Sequence, residues 1–168
     1  TVKIHSQDGT ELLGHWMPVV NPKRIIVAMH GWRSAWDNDF GLAADFFADN
    51  HCSVLYAEQR GQGRSGGNHM GFGLMERFDC LRWVDWVNEE MGGSPDVYLC
   101  GVSMGASTVL MAGGHPLPKN VIGILGGFHR ALGENFPGKG GVAYLHDLVM
   151  TGEDDLVLTN NGAAANRV

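Results

Sequence analysis

Four short apolar runs, residues 24–30, 52–57, 96–100 and 121–125, constrain the architecture more than any other feature of the chain. They are rich in aliphatic and β-branched side chains and lack the alternation of a half-solvated strand, so they read as strands covered on both faces. Helical patterns over 39–49, 74–91 and 106–112 fall between them, at the spacing of repeated strand–helix–strand units. In the second helix Phe78, Leu81, Val84 and Val87 form an apolar stripe, and Glu76, Asp79, Arg82 and Asp85 are expected on the opposite, solvated side. Two alternating stretches, 1–6 and 11–20, precede the first run, and the Asp8-Gly9 pair between them favours a tight hairpin turn.

This pattern predicts an α/β fold: a mostly parallel, doubly wound sheet with an N-terminal antiparallel hairpin and a ligand site beyond the carboxyl ends of the strands. After Gly126 the pattern weakens, glycines crowd residues 126–141, one more strand is expected over 143–151, and 160–168 read as a loose tail. The expected organisation is a core of residues 1–125 followed by a shortened, irregular segment of the same domain, 126–168.

Gly101-Val102-Ser103-Met104-Gly105 lies directly between a strand pattern and a helix pattern. A serine on such a turn sits in strained backbone with its hydroxyl exposed, small residues are needed two positions to either side, and the helix N-terminus supplies partial positive charge. Ser103 is therefore the expected nucleophile. The N–H groups of Trp32, in the loop after the first covered strand, and of Met104 are the expected oxyanion donors. His30 ends that strand, where a histidine is expected to brace the turn instead of acting as general base.

Composition narrows the function classes. The 168 residues are 44% hydrophobic and 18% charged with a formal net charge of −6, which excludes a disordered chain and argues against nucleic-acid binding driven by charge. Cys52, Cys80 and Cys100 are odd in number and embedded in apolar runs, reading as small buried hydrophobes of a reducing compartment, so a cytoplasmic location is expected. The chain starts at Thr1, which leaves room for a removed leader. No run approaches the roughly 20 apolar residues that span a bilayer. No metal knuckle is present, and the glycines of 58–65 lack the Gly-x-Gly-x-x-Gly form, so Glu58 and Arg60 are expected to brace a turn and no metal or cofactor is expected.

The chain resembles the N-terminal part of α/β-hydrolase fold serine hydrolases, in particular a bacterial group of esterase-like and peptidase-like hydrolases. The resemblance rests on Gly14-His15-Trp16-Met17-Pro18, His30-Gly31-Trp32-Arg33-Ser34, residues 58–65, residues 71–77 and Gly101-Val102-Ser103-Met104-Gly105, in that order over about residues 1–125. Most relatives carry Asp where this chain has Glu58.

The resemblance implies a triad in the order serine, acid, histidine. Only 65 residues follow Ser103, which predicts a domain truncated or shortened after the sixth strand. The segment 148–157 resembles the family's acid-bearing turn. The acid is Asp155 by distance from Gly152 and Asp154 by distance to Val157. No histidine follows it, so the general base is sought at His129 or His146, with His115 a third downstream histidine.

Two functions compete: a serine hydrolase of carboxylic ester, thioester or amide bonds, and a catalytically impaired remnant that binds an acyl ligand or partner without turnover. The expected partners are a small acyl substrate and, through the sheet edge exposed after 121–125, a second copy of the chain. Trp32, Trp36, Phe72 and Phe128 are the aromatic residues available to line an apolar pocket.

Overall fold

Among the described residues six strands and three helices form in chain order: β1 (Val2–His5), β2 (Glu11–Met17), β3 (Arg24–Met29), α1 (Trp36–Asp49), β4 (Cys52–Ala57), α2 (Glu76–Met91), β5 (Asp96–Val102), α3 (Met104–Ala112) and β6 (Val121–Gly127). The computed structural model describes residues 1–127. The predicted strand at 143–151, the tail 160–168, Asp154, Asp155, His129, His146 and Phe128 lie outside the described residues.

The sheet runs β1-β2-β4-β3-β5-β6. β1 with β2 and β2 with β4 pair antiparallel, whereas β3 pairs parallel with β4 and β5, and β5 with β6. The α/β-hydrolase fold expected from sequence, with its N-terminal hairpin and mostly parallel sheet, is the fold observed. From β3 the chain passes through α1 to β4 on one side, then returns through α2 to β5 on the other. The sheet order therefore reverses at β3 and β5, and the crevice outside their carboxyl ends is where such a sheet places a ligand.

Period-two alternation divides the core between two faces. Ile25, Val27 and Met29 of β3 pack with Cys80, Trp83, Val84 and Val87 of α2 and with Val109 of α3. Ile26 and Ala28 face the other way, onto Phe40, Ala43 and Phe47 of α1. Burying each such large apolar side chain stabilises the fold by about 1.5–3 kcal/mol. All three cysteines are free and buried, as their apolar settings suggested. Burial pushes the Cys52 thiol up to about 11 and those of Cys80 and Cys100 up to about 12.

Element ends differ from the sequence pattern for local reasons. β2 stops at Met17, before Pro18, and Val19 N–H donates to Ser53 Oγ at 3.0 Å. β3 stops at Met29, where His30 turns into the loop. α2 begins at Glu76 instead of residue 74, because residues 71–75 form a turn held by Glu76 itself: Gly71 N–H and Gly73 N–H donate to its two carboxylate oxygens at 2.7 and 2.8 Å.

The expected solvated side of α2 is corrected in the same place. Glu76 and Asp79 are buried, at 0% and 1% exposure, while Phe78 and Leu81 are only half-buried. Asp79 faces inward because Arg60 meets it there with two bonds of 2.6 Å, Nε to Oδ2 and Nη2 to Oδ1. Ser6 Oγ donates to the same carboxylate at 2.5 Å, and Arg60 Nη1 reaches Asp8 at 2.7 Å. One buried guanidinium thus ties the hairpin turn, the loop after β4 and α2 together. Its hydrogen bond holds the Asp8 carboxyl well below the usual range.

Candidate active site

β3 and β5 are adjacent, with Met29 opposite Gly101, so the segments that follow them emerge side by side. Ser103 occupies the turn between β5 and α3 with φ 53° and ψ −114°, outside the regions ordinary residues populate. The flanking glycines make this turn sterically feasible. A Cβ on Gly101 would overlap the carbonyl of Gly105 and lie 2.6 Å from Ala106 N; one on Gly105 would overlap the Met29 carbonyl and lie 2.8 Å from that of His30. Ser103 is half-buried, and among the described residues its hydroxyl has no hydrogen-bond partner.

The loop after β3 lies directly against this turn, since a Cβ on Gly31 would stand 3.3 Å from Ser103 Cβ. Its N–H groups are nearly all committed. Gly31 N–H donates to Asp39 Oδ2 at 2.6 Å, Arg33 N–H to Gln62 Oε1 at 2.6 Å and Ser34 N–H to Gly31 O at 3.3 Å. The N–H of Trp32 has no acceptor among the described residues. Met104 opens α3, so its N–H has no intrahelical acceptor. The structure thus brings Ser103, Trp32 and Met104 together from two neighbouring strand ends.

His30 braces the turn. Its Nε2 accepts Gln59 N–H at 3.1 Å, which places the ring proton on Nδ1, and Nδ1–H donates to Gly31 O at 2.7 Å. With both nitrogens engaged and 2% exposure, it has no free lone pair for Ser103. Burial lowers its pKa and keeps the ring neutral. His115 follows the far end of α3, on the order of 15 Å from the serine at the helical rise, and packs edge-on against Phe78.

Sequence reasoning missed the polar groups that fix these parts. Asp39 also accepts Ser34 Oγ at 2.8 Å, so one carboxylate fixes the loop at two points. Gln59 donates its amide to the His30 carbonyl and accepts from Thr108 Oγ at 2.8 Å, joining the end of β3 to α3. The sequence signal for them is slight: Asp39 lies in the first turn of α1, Gln59 two residues after β4 and Thr108 on the helix after Ser103. Glu58 braces its turn as expected, taking Arg64 N–H at 2.5 Å and His15 Nε2 at 2.8 Å. Burial raises the Glu58 pKa, but these donors outweigh it and hold the group below its ordinary value.

Of the expected pocket aromatics, Trp36 packs on Tyr56 and His15. Trp32 and Phe72 instead pair at the mouth of the crevice, ring centroids 6.2 Å apart, at 49% and 57% exposure. Met111 of α3 lies beside this loop, its Sδ 3.0 Å from a Cβ placed on Gly73. The crevice therefore has an apolar rim.

The sequence profile of the serine aminopeptidase, S33, family matches residues 20–125, more than half of the chain. The chain belongs to this family. The matched span runs from just before β3 to the middle of β6 and contains Trp32, Ser103 and Met104. A search of curated proteins returned no match. Among solved structures, an esterase from Pyrococcus furiosus is 24% identical with a TM-score of 0.64, over 88% of this chain and 56% of that one. A protein of unknown function from Agrobacterium tumefaciens, described as a putative α/β hydrolase, is 18% identical with a TM-score of 0.65, over 95% of this chain and 83% of that one. A ferulic acid-bound protein from Butyrivibrio proteoclasticus is 21% identical with a TM-score of 0.61, over 74% of this chain and 51% of that one. These likenesses establish the fold. The chain spans about half the length of the esterase it matches, 48–56%. Among the described residues no helix is long and apolar enough to cross a membrane.

Proposed function

We propose that the protein is a serine hydrolase that cleaves carboxylic ester bonds, or the related thioester or amide bonds, through an acyl-enzyme on Ser103. The observation that carries this reading is the strained Ser103 on a strand–turn–helix, whose hydroxyl has no partner among the described residues, beside the N–H of Trp32, which has no acceptor among them either. Strain of this kind costs about 1–3 kcal/mol and is retained where its surroundings enforce it. Membership of a serine peptidase family supports the same assignment.

In this mechanism a base takes the Ser103 proton as Oγ bonds to the substrate carbonyl carbon. The carbonyl oxygen becomes an oxyanion between Trp32 N–H and Met104 N–H, donors of a kind worth about 2.7–4 kcal/mol each in the transition state. Collapse expels the alcohol, thiol or amine with the proton held by the base. Water then cleaves the acyl-serine by the same route, giving a carboxylic acid and restoring the hydroxyl. No described histidine reaches Ser103, so His129 or His146 serves as base, with Asp154 or Asp155 as acid. The step uses no metal or cofactor, and its substrate is a small acyl compound admitted at the apolar rim.

Intact-mass spectrometry after treatment with a fluorophosphonate tests the assignment. One adduct per chain, absent in Ser103→Ala, is the expected result. Folded protein that takes no label overturns it in favour of the non-catalytic remnant.

A further inference from the structure

The two oxyanion donors belong to different elements. Trp32 N–H lies in the loop after β3 and Met104 N–H opens α3, so chain connectivity does not fix their separation. An oxyanion needs both donors about 2.7–3.1 Å from a single point. The contact of Gly31 with Ser103 limits how closely the two segments approach but does not aim them. Hydrogen bonds supply that direction.

Gln59, two residues after β4, makes such bonds to both segments. Its side-chain Nε2–H donates to the carbonyl of His30, and its Oε1 accepts from Thr108 Oγ at 2.8 Å. Thr108 Oγ also lies 3.2 Å from the carbonyl of Met104, one turn back in α3, so its one proton is shared between two acceptors. Gln59 is 1% exposed and Thr108 0%, a low-dielectric setting in which each bond strengthens its neighbours.

On the loop side the link continues to the donor itself. Gln59 backbone N–H donates to His30 Nε2 at 3.1 Å, and His30 Nδ1–H donates to Gly31 O at 2.7 Å. That carbonyl belongs to the same peptide as Trp32 N–H, and in a planar trans peptide the two point in opposite directions, so holding one aims the other. On the helix side, a Cβ on Gly105 would stand 2.8 Å from the His30 carbonyl, so α3 lies directly against the group that Gln59 holds.

We infer that Gln59, acting with Thr108, is a positioning residue that sets the spacing and relative aim of the Trp32 and Met104 N–H groups. The inference rests on the proposed hydrolase reading. Both side chains are buried, so they act through the peptide groups they hold and not by touching substrate.

The test measures kcat and KM separately for p-nitrophenyl butyrate, because a donor used in the transition state alone lowers kcat and leaves KM. Thr108→Val keeps the side-chain shape without the hydroxyl, and Gln59→Met keeps the length without either amide bond. In each, kcat is expected to fall at least about tenfold with KM within about twofold of the wild type, since a misplacement near 1 Å costs up to about 10²-fold. Thr108→Ser returns the hydroxyl and is expected to recover kcat to within about threefold of the wild type. Adding Thr108→Val to Gln59→Met is expected to lower kcat by less than a further threefold or so, because both break one link. A smaller than tenfold loss of kcat in either folded variant, no recovery in Thr108→Ser, or losses that multiply in the double variant overturns the inference.

Amide ¹H–¹⁵N spectra separate this from failure of the hydrolase reading, because they need no turnover. The Trp32 resonance, which Thr108 reaches through Gln59 and His30, is expected to shift in Thr108→Val and to return in Thr108→Ser. If the wild type cleaves no ester and takes no fluorophosphonate, such a shift sustains the link between the two N–H groups while the serine assignment fails. A Trp32 resonance unmoved in Thr108→Val overturns the link whether or not the protein is active.

Discussion

Asp39, in the first turn of α1, holds the N–H of Gly31 at 2.6 Å and thereby decides which N–H of the loop stays free. With Gly31, Arg33 and Ser34 all committed, the N–H of Trp32 is the donor of this segment, next to Ser103, that has no acceptor among the described residues. Asp39→Ala removes both of that carboxylate's bonds. The expected outcome is a loss of about 1–3 kcal/mol in urea unfolding. Fluorophosphonate labelling of Ser103 should slow at least tenfold, consistent with the 10²–10³-fold effect of losing one oxyanion donor. A variant that is destabilised yet labels at the wild-type rate would show that Asp39 supports the fold and not the donor.

The Ser103 turn was legible because its physics is local. Two glycines at fixed spacing and a strand-to-helix switch lie within a few residues of each other, and the steric need for Gly101 and Gly105 follows from that turn. The buried carboxylates of α2 were not legible because helical periodicity does not register the donors that hold them. Periodicity assigns every Asp and Glu to water, yet Asp79 is drawn inward by Arg60, 19 positions away, and Glu76 by N–H groups of the preceding turn. Gln59 escaped notice likewise, since His30 and Thr108 become its neighbours only once β3, β4 and β5 align, whereas Asp39 bonds Gly31 and Ser34 of the loop leading into its own helix, which no periodic pattern marks.

His30 makes stability depend on pH. Burial lowers its pKa from the ordinary 6.5, so the folded protein binds fewer protons than the unfolded chain. Its contribution is fully present above about pH 6.5, where both states are neutral, and declines as the pH falls below this toward the lowered folded pKa. Its slope is at most about 1.4 kcal/mol per pH unit. Urea unfolding between pH 8 and pH 5 is expected to show this fall in the wild type and a shallower one in His30→Asn, which is also less stable at pH 8. Parallel curves for the two proteins would remove His30 from the account. Below about pH 4.5 the lowered Glu58 adds a second loss of the same sign in both proteins.

The Arg60–Asp79 pair and the Arg82–Asp85 pair make opposite predictions from similar chemistry. Asp79→Ala removes the two-point partner of a buried guanidinium and is expected to cost about 3–5 kcal/mol. Arg82 and Asp85 meet at 3.0 Å on the exposed face of α2, and Arg82→Ala is expected to change stability by less than about 1 kcal/mol. Chemical denaturation of both variants distinguishes them. Comparable losses would mean that burial of Asp79 contributes little to the cost.

Two glycine-to-alanine substitutions separate helix propensity from close approach. Gly41 lies exposed within α1, and a Cβ there meets nothing within 4 Å, so Gly41→Ala is expected to stabilise by about 0.5–1 kcal/mol. Gly105 also lies in a helix, but its Cβ would overlap the Met29 carbonyl, and backbone atoms of β3 have no rotamer to give. Gly105→Ala must therefore push α3 away from β3, moving Met104 N–H relative to Trp32 N–H. The expected outcome is a loss well above the roughly 1 kcal/mol centre of ordinary substitutions, with any folded fraction slow to label at Ser103. Soluble Gly105→Ala protein with wild-type melting and labelling would contradict the close β3–α3 contact on which the site geometry depends.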